Sequence, residues 1–221
     1  MLTEQEALNI QKKLCQQVVL SDDFPADINI IAGVDVEYDK ESDIIAGAIV
    51  LMDYNTLDTI EVATHCMQVP FPYIPGLFSF REMPVLLEAY KKLITFPDLI
   101  ICDGHGWAHP RRFGLACHLG VTLDRPALGC GKTRLFGHFE APGQERGEVS
   151  PLLADDNNEH IGNVLRTQTG INPVFVSAGH KIALTTATGI VLKMASEFRL
   201  PETTRKADQY AREALLSYKG L

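Results

Sequence analysis

Apolar positions recur at helical spacing through Ala7, Leu8, Ile10, Leu14, Val18 and Val19, behind a Thr3 to Glu6 pair with the form of a capping box. The spacing predicts a helix over residues 3–20. Three long apolar runs follow: INIIAGVDVEY (28–38), IIAGAIVLMDY (44–54) and TIEVATHCMQV (59–69). The polar breaks between them, DKESD and NTLD, suit hairpin links, so the runs read as a meander of strands. The next stretch, VPFPYIPGLFSFRE (69–82), packs Pro70, Pro72 and Pro75 among Phe71, Tyr73, Phe78 and Phe80. Proline is confined to the edges and starts of strands and disrupts helix interiors, so this stretch reads as a stiff apolar loop.

Helical spacing returns in REMPVLLEAYKKLITF (81–96), with Pro84 expected in the first turn. DLIICD (98–103) is apolar until its closing acid, the pattern of a central strand buried on both faces. A short helix (111–120), a strand at PALGC (126–130), a loop-rich stretch with a hairpin to about residue 170, a strand at PVFVSA (173–178) and helices near 185–197 and 203–218 complete the prediction. A meander followed by alternating helices and strands predicts an α/β fold, a mixed central sheet flanked by helices. No repeat or linker divides the chain, so one domain is expected over residues 1–221.

Composition narrows the class. With 46% apolar and 22% charged residues, the 221-residue chain has a globular profile. No apolar run approaches the ~20 residues of a membrane span, and the polar start lacks a secretory h-region; a cytoplasmic protein is expected. Five cysteines without a CxxC pair predict free, mostly buried thiols. The net charge of −8 argues against a nonspecific nucleic-acid coat, yet it is unevenly spread. Residues 1–70 hold 13 acids and 3 bases, whereas residues 71–221 hold 15 acids and 17 bases. The later part can therefore present a local basic face, with Arg111, Arg112, Lys132, Arg134, Lys181, Arg205 and Lys206 as candidates for phosphate contacts.

Two acids interrupt or end apolar runs: Asp35 in the first strand and Asp103 at the end of DLIICD. A carboxylate in a sheet centre needs a cation, a donor or a strand end open to water. Glu82, at the start of the helix after the aromatic loop, and Asp208, on the last helix, can be carried to the same place. Such carboxylates repel one another until a divalent cation arrives, and oxygen-only ligands favour Mg²⁺ or Mn²⁺. Such an ion polarises a phosphoryl oxygen and acidifies bound water, the chemistry of phosphodiester hydrolysis.

Two motifs are decoys. DGHGWAHPRR (103–112) follows a buried strand but lacks the third glycine of a dinucleotide fingerprint, and its Gly and Pro argue against the helix that a zinc pair of His105 and His109 needs. His109 is better suited to orienting water or a phosphate oxygen, with Arg111 and Arg112 close behind. GCGKT (129–133) has Pro126 where a P-loop needs its first glycine, leaving Lys132 free to meet a phosphate near the metal.

Together, PYIPG…FRE, DGHG…HPRR, GCGKTRLFG, SAGH (177–180) and LPETTRKAD (200–208) resemble the endonuclease V family of deoxyinosine 3′ endonucleases. The resemblance runs from about Ile31 to Tyr210. It implies a ribonuclease H-like fold, Mg²⁺ (with Mn²⁺ able to substitute), and incision of DNA at the second phosphodiester bond 3′ to deoxyinosine, leaving a 3′-hydroxyl and a 5′-phosphate. It implies Asp35, Asp103, Glu82 and Asp208 as metal carboxylates, with His109 and Lys132 completing the catalytic set. Tyr73 resembles the wedge that enters the duplex, and Pro75, Gly76 and Gly104 fall in the motifs around the base pocket. Arg111, Arg112 and His180 are further expected DNA contacts. The chain departs from the family pattern at Cys130 and Gly131, where an aliphatic residue and Ala are usual, and at Thr204, where Pro is common.

The wedge reading has a physical reason. A lesion is read only after its base leaves the stack, and a Pro-locked loop with an aromatic tip fills the gap at little ordering cost. A monomer acting on inosine-containing DNA is expected. Three alternatives stay open at this stage: an inosine-specific ribonuclease, a nuclease of branched DNA, and a lesion-binding module without turnover.

Overall fold

The computed structural model describes residues 2–220, and its elements follow the predicted order with shifted ends. The first helix, α1 (Glu4–Cys15), starts at the Thr3–Glu6 capping box, where the Thr3 amide donates to the Glu6 carboxylate at 2.8 Å. It stops short of the predicted residue 20 because the chain turns away there, and the Val19 amide donates to His180 Nδ1 at 3.3 Å instead. The meander is β1 (Ile30–Tyr38), β2 (Ile44–Asp53) and β3 (Thr59–Gln68), antiparallel throughout.

Helix α2 (Ser79–Tyr90) begins two residues earlier than predicted, so Pro84 lies beyond its first turn. The fully buried β4 (Leu99–Cys102) comes next. Helix α3 (Leu115–Leu123) begins four residues later than predicted, because Arg112 adopts a left-handed φ of 54° and Gly114 is extended as N-cap. Then come β5 (Ala127–Gly131), the hairpin of β6 (Val149–Leu153) and β7 (His160–Leu165), β8 (Val174–His180), α4 (Leu184–Met194) and α5 (Glu202–Tyr218).

All eight strands form one sheet in the order β3-β2-β1-β4-β5-β8-β7-β6. Strands β1, β4 and β5 are parallel to one another, and β8 returns antiparallel to β5. Alternation along each strand divides the core between two layers. Ile31, Leu99, Ile101, Leu128 and Cys130 face α4 and α5, whereas Ala32, Val34, Ile100 and Cys102 face α2 and α3. Apart from both, α1 rests Ala7 on Phe71, Leu77 and Phe80, forming a small core beneath the aromatic loop.

Gly33 fixes how closely α5 approaches β1. A Cβ at this position would lie 2.1 Å from the Thr203 carbonyl oxygen, so only glycine permits the contact. All five cysteines are free, and Cys102, Cys117 and Cys130 are buried. Among the described residues, no helix is long and apolar enough to cross a membrane.

Candidate active site

The parallel register sets the first two acids side by side. Val34 pairs with Cys102, and the Asp103 amide donates to the Val34 carbonyl at 3.0 Å. Asp35 and Asp103 therefore leave adjacent strands at neighbouring positions, with backbones separated by roughly one strand spacing of ~4.8 Å. Counting in twos from Ile31 and Ile101 places both on the face of the sheet that carries α5. Lys132, two residues beyond Cys130, falls on that face too, and its Nζ pairs with Asp103 Oδ2.

Electrostatics show how crowded this strand end is. Burial, and next the Asp103 carboxylate, push Asp35 up to about 8, and Asp208 on α5 adds to the repulsion. Lys132 opposes this rise, as does the Val36 amide, which donates to Asp35 Oδ1 at 2.8 Å. Glu82 reaches in from α2; burial, then Asp35 and Asp103, raise it well above the usual carboxylate range. The Tyr38 hydroxyl donates to Glu82 Oε1 at 3.4 Å, and Asp208 accepts from Arg212 at 2.8 Å. Among the described residues, no three His, Cys, Asp or Glu side chains close up into a ready-made metal cage. The donor set still suits a hard divalent ion: every candidate ligand is a carboxylate, and two or more are destabilised by one another and by burial.

Beside the acids lies a cavity of about 440 Å³, within the ~300–1,000 Å³ range of ligand pockets. It gathers Glu82, Asp103 and Lys132 with Tyr73, Pro75, Gly76, Gly104 and His109. The aromatic loop divides its labour here. Phe71 and Phe80 are buried under α1, whereas Tyr73, 67% exposed, stands at the cavity with Phe78 edge-on at 6.1 Å. Gly76 has φ +77°, and a Cβ on it would strike Arg111 at 2.3 Å, so this rim too needs glycine.

His109 is buried and held neutral: burial, then Arg111, depress it to about 3. Its Nδ1 accepts the Arg111 amide at 3.1 Å, so it braces the loop that carries the rim.

Two expected contacts stand elsewhere. Arg112 is committed to Glu159 and Asp156, both at 2.8 Å, with its side chain only 11% exposed; the guanidinium is a strut between loops and is not free to meet a phosphate. His180 pairs across the sheet with Ala127, at the start of β5, while Lys132 lies past its end. Five residues of strand separate them, about 16 Å, so His180 belongs to the far edge of the sheet, where it bonds Val19 and faces Asp124. Within SAGH, Ser177 and Ala178 accept the Gly106 and Trp107 amides at 2.8 and 2.7 Å and so support the DGHG loop at the cavity, whereas His180 lies away from it.

The structure adds residues that the sequence reading did not single out. Leu135, 51% exposed, and Ser79 line the cavity. His105, set aside above as a zinc ligand, lines it too, with Nε2–H donating to the Thr133 carbonyl at 2.9 Å, and burial lowers its pKa to about 4.

A mixed sheet in this strand order, with acids at the ends of two neighbouring parallel strands, places the protein in the ribonuclease H-like class. Comparison resolves it further. A family model described as Endonuclease V matches residues 12–209, and the chain belongs to the Endonuclease V family. It is 46% identical over 214 residues to the Endonuclease V of Streptomyces avermitilis, covering 96% of this chain and 93% of that protein. The crystal structure of the Streptomyces avermitilis Endonuclease V superposes with a TM-score of 0.94 at 44% identity, covering 99% of this chain and 96% of that one. A structure of Ciona intestinalis Endonuclease V, in complex with a 24mer DNA containing an inosine followed by a ribo-adenosine, superposes with a TM-score of 0.83 at 25% identity, covering 97% and 98%.

Proposed function

We propose that this protein is a Mg²⁺-dependent repair endonuclease that hydrolyses the second phosphodiester bond 3′ to deoxyinosine, leaving a 3′-hydroxyl and a 5′-phosphate. The observation that carries this reading is the placement of Asp35 and Asp103 at neighbouring ends of paired parallel strands, with Asp103 lining a cavity that Tyr73 also lines. Inosine-containing DNA, present in the Ciona intestinalis complex, is the substrate that fits such a cavity. The protein is expected to act as a monomer in the cytoplasm.

In this mechanism Tyr73 and Phe78 fill the gap left by the extruded base, at low ordering cost because prolines stiffen the loop. Rim glycines 76 and 104 let backbone groups approach the purine edge, where hypoxanthine offers an O6 acceptor and an N1 donor. Asp35 and Asp103, aided by Glu82 and Asp208, would hold the ion, which when bound supplies an activated water and polarises the scissile phosphate. Lys132, paired with Asp103 here, would be free to turn its charge to the phosphate once Asp103 held an ion. His109 stays neutral and holds the rim in place.

A cleavage map on matched DNA and RNA strands, each with one inosine, tests this directly. A single cut immediately 3′ of the inosine's 3′ neighbour, in DNA and dependent on Mg²⁺, is expected. Equal or better cutting of the RNA strand would instead make inosine-containing RNA the substrate, and binding without any cut would make the protein a lesion-binding module.

A further inference from the structure

Helix α1 lies outside the sheet and contributes no acid, yet it carries a side chain that no surface role explains. Gln11 is 1% exposed on the apolar stripe of α1, among Ala7 and Ile10. A primary amide placed there is costly unless its hydrogen bonds are met. They are met by the cavity's own walls. Gln11 Nε2 donates to the Gly76 carbonyl at 3.0 Å and to the Phe113 carbonyl at 2.9 Å, while its Oε1 accepts from Arg111 Nε. One amide thus ties the aromatic loop, the segment entering α3 and the HPRR loop to a single helix.

These three partners surround one spot. Arg111 lies where a Cβ of Gly76 would be, and Phe113 precedes Gly114, which lines the cavity beside Gly76. Loops placed only by their own backbone would leave the rim free to drift, and discrimination between similar bases needs polar groups held within a fraction of an ångström. Gln11 supplies that constraint at Gly76, a rim position that has no side chain of its own to anchor it.

We infer that Gln11 is a positioning residue for base discrimination: through the Gly76 and Phe113 carbonyls it fixes the rim against which an inosine is told from an adenine. This rests on the proposed activity. Gln11 touches neither the acids nor Lys132, so its loss should act on recognition and spare the ion.

The test uses the full chain and two variants. Gln11→Leu removes all three hydrogen bonds. Gln11→Glu keeps the size and the acceptor for Arg111 but cannot donate to either carbonyl. Single-turnover incision is measured across concentrations of inosine and matched adenine duplexes, and Mn²⁺ affinity is measured separately by electron paramagnetic resonance. Both variants should raise the apparent KM for the inosine duplex tenfold or more, since each lost hydrogen bond of about 1.4 kcal/mol gives about one factor of ten. Rate at saturation and Mn²⁺ affinity should stay at wild-type values. Gln11→Glu carries the test by itself if Gln11→Leu does not fold. Wild-type KM in Gln11→Glu overturns the inference, and so does a parallel loss of KM, rate and Mn²⁺ affinity, which marks a merely structural role. A wild-type protein that does not itself prefer inosine fails the proposed activity, a result distinct from either.

Discussion

Adding one methyl group at Gly33 tests whether helix α5 is seated on β1 as the site requires. In Gly33→Ala the new Cβ would lie 2.1 Å from the Thr203 carbonyl oxygen, 2.2 Å from its carbon and 2.7 Å from the Thr204 nitrogen. Ordinary contact needs about 3.4 Å, and both partners are backbone, so the helix must retreat by more than an ångström. Over-packing costs ~1–3 kcal/mol, and with no side chain able to yield, a loss near the top of that range, about 3 kcal/mol, is expected. At this chain length that corresponds to a fall in Tm of about 6–12 °C. The catalytic consequence follows from register. Asp35 lies two strand residues past Gly33 on the same face, about 6.6 Å away, and Asp208 lies five helix residues past Thr203, about 7.5 Å away. The same displacement therefore moves Asp208 away from Asp35. A shift of about 1 Å can cost ~10²-fold in rate, so incision by Gly33→Ala at 25 °C, with the protein still folded, should fall by about that factor. Urea denaturation and single-turnover incision on one preparation provide both numbers. Wild-type stability together with a wild-type rate would refute this seating of α5.

Other perturbations separate the roles further. Gly189→Ala, in the middle of α4 with nothing within 4 Å of the added Cβ, should stabilise the protein by about 0.5–1 kcal/mol in the same denaturation assay and leave incision unchanged. Arg112→Ala should cost about 2 kcal/mol of stability through loss of Asp156 and Glu159, while incision at saturating substrate stays within twofold of wild type. Lys132→Met should lower single-turnover incision by about 10²-fold with inosine-duplex binding nearly intact. Burial holds His118 at about 4, below its ordinary 6.5, so the unfolded chain takes up a proton first as pH falls; this stability is full above pH 6.5 and is lost progressively towards pH 4. The stability difference between pH 7 and pH 5 should accordingly shrink by about 2 kcal/mol in His118→Gln, as read from urea midpoints.

The sheet was legible because its strands break simple rules only where chemistry intrudes. An acid closing the apolar run of β4 and another interrupting β1 mark the two central carboxylates, and parallel pairing does the rest. Helix ends were less legible, since they depend on distant partners: α1 stops where Val19 bonds His180, a residue 161 positions away. Arg112 and His180 show the limit of motif reading. Both sit within or beside segments that reach the site, yet an ion pair with another loop and the antiparallel return of β8 take them elsewhere. Gln11 did leave a trace, an amide on an apolar helical stripe, but its partners are 65 and 102 residues away and no local pattern names them. Leu135 left none, because an exposed leucine in a loop is unremarkable until the opposite lip is known.

The central claim is that Asp35 and Asp103 share one hard divalent ion. Anomalous scattering from crystals grown with Mn²⁺ tests it most directly. The account predicts a manganese peak within bonding distance of a carboxylate oxygen from each, about 2.0–2.3 Å, on the α5 side of the sheet. A peak bound by neither, or by only one of the two, would contradict it.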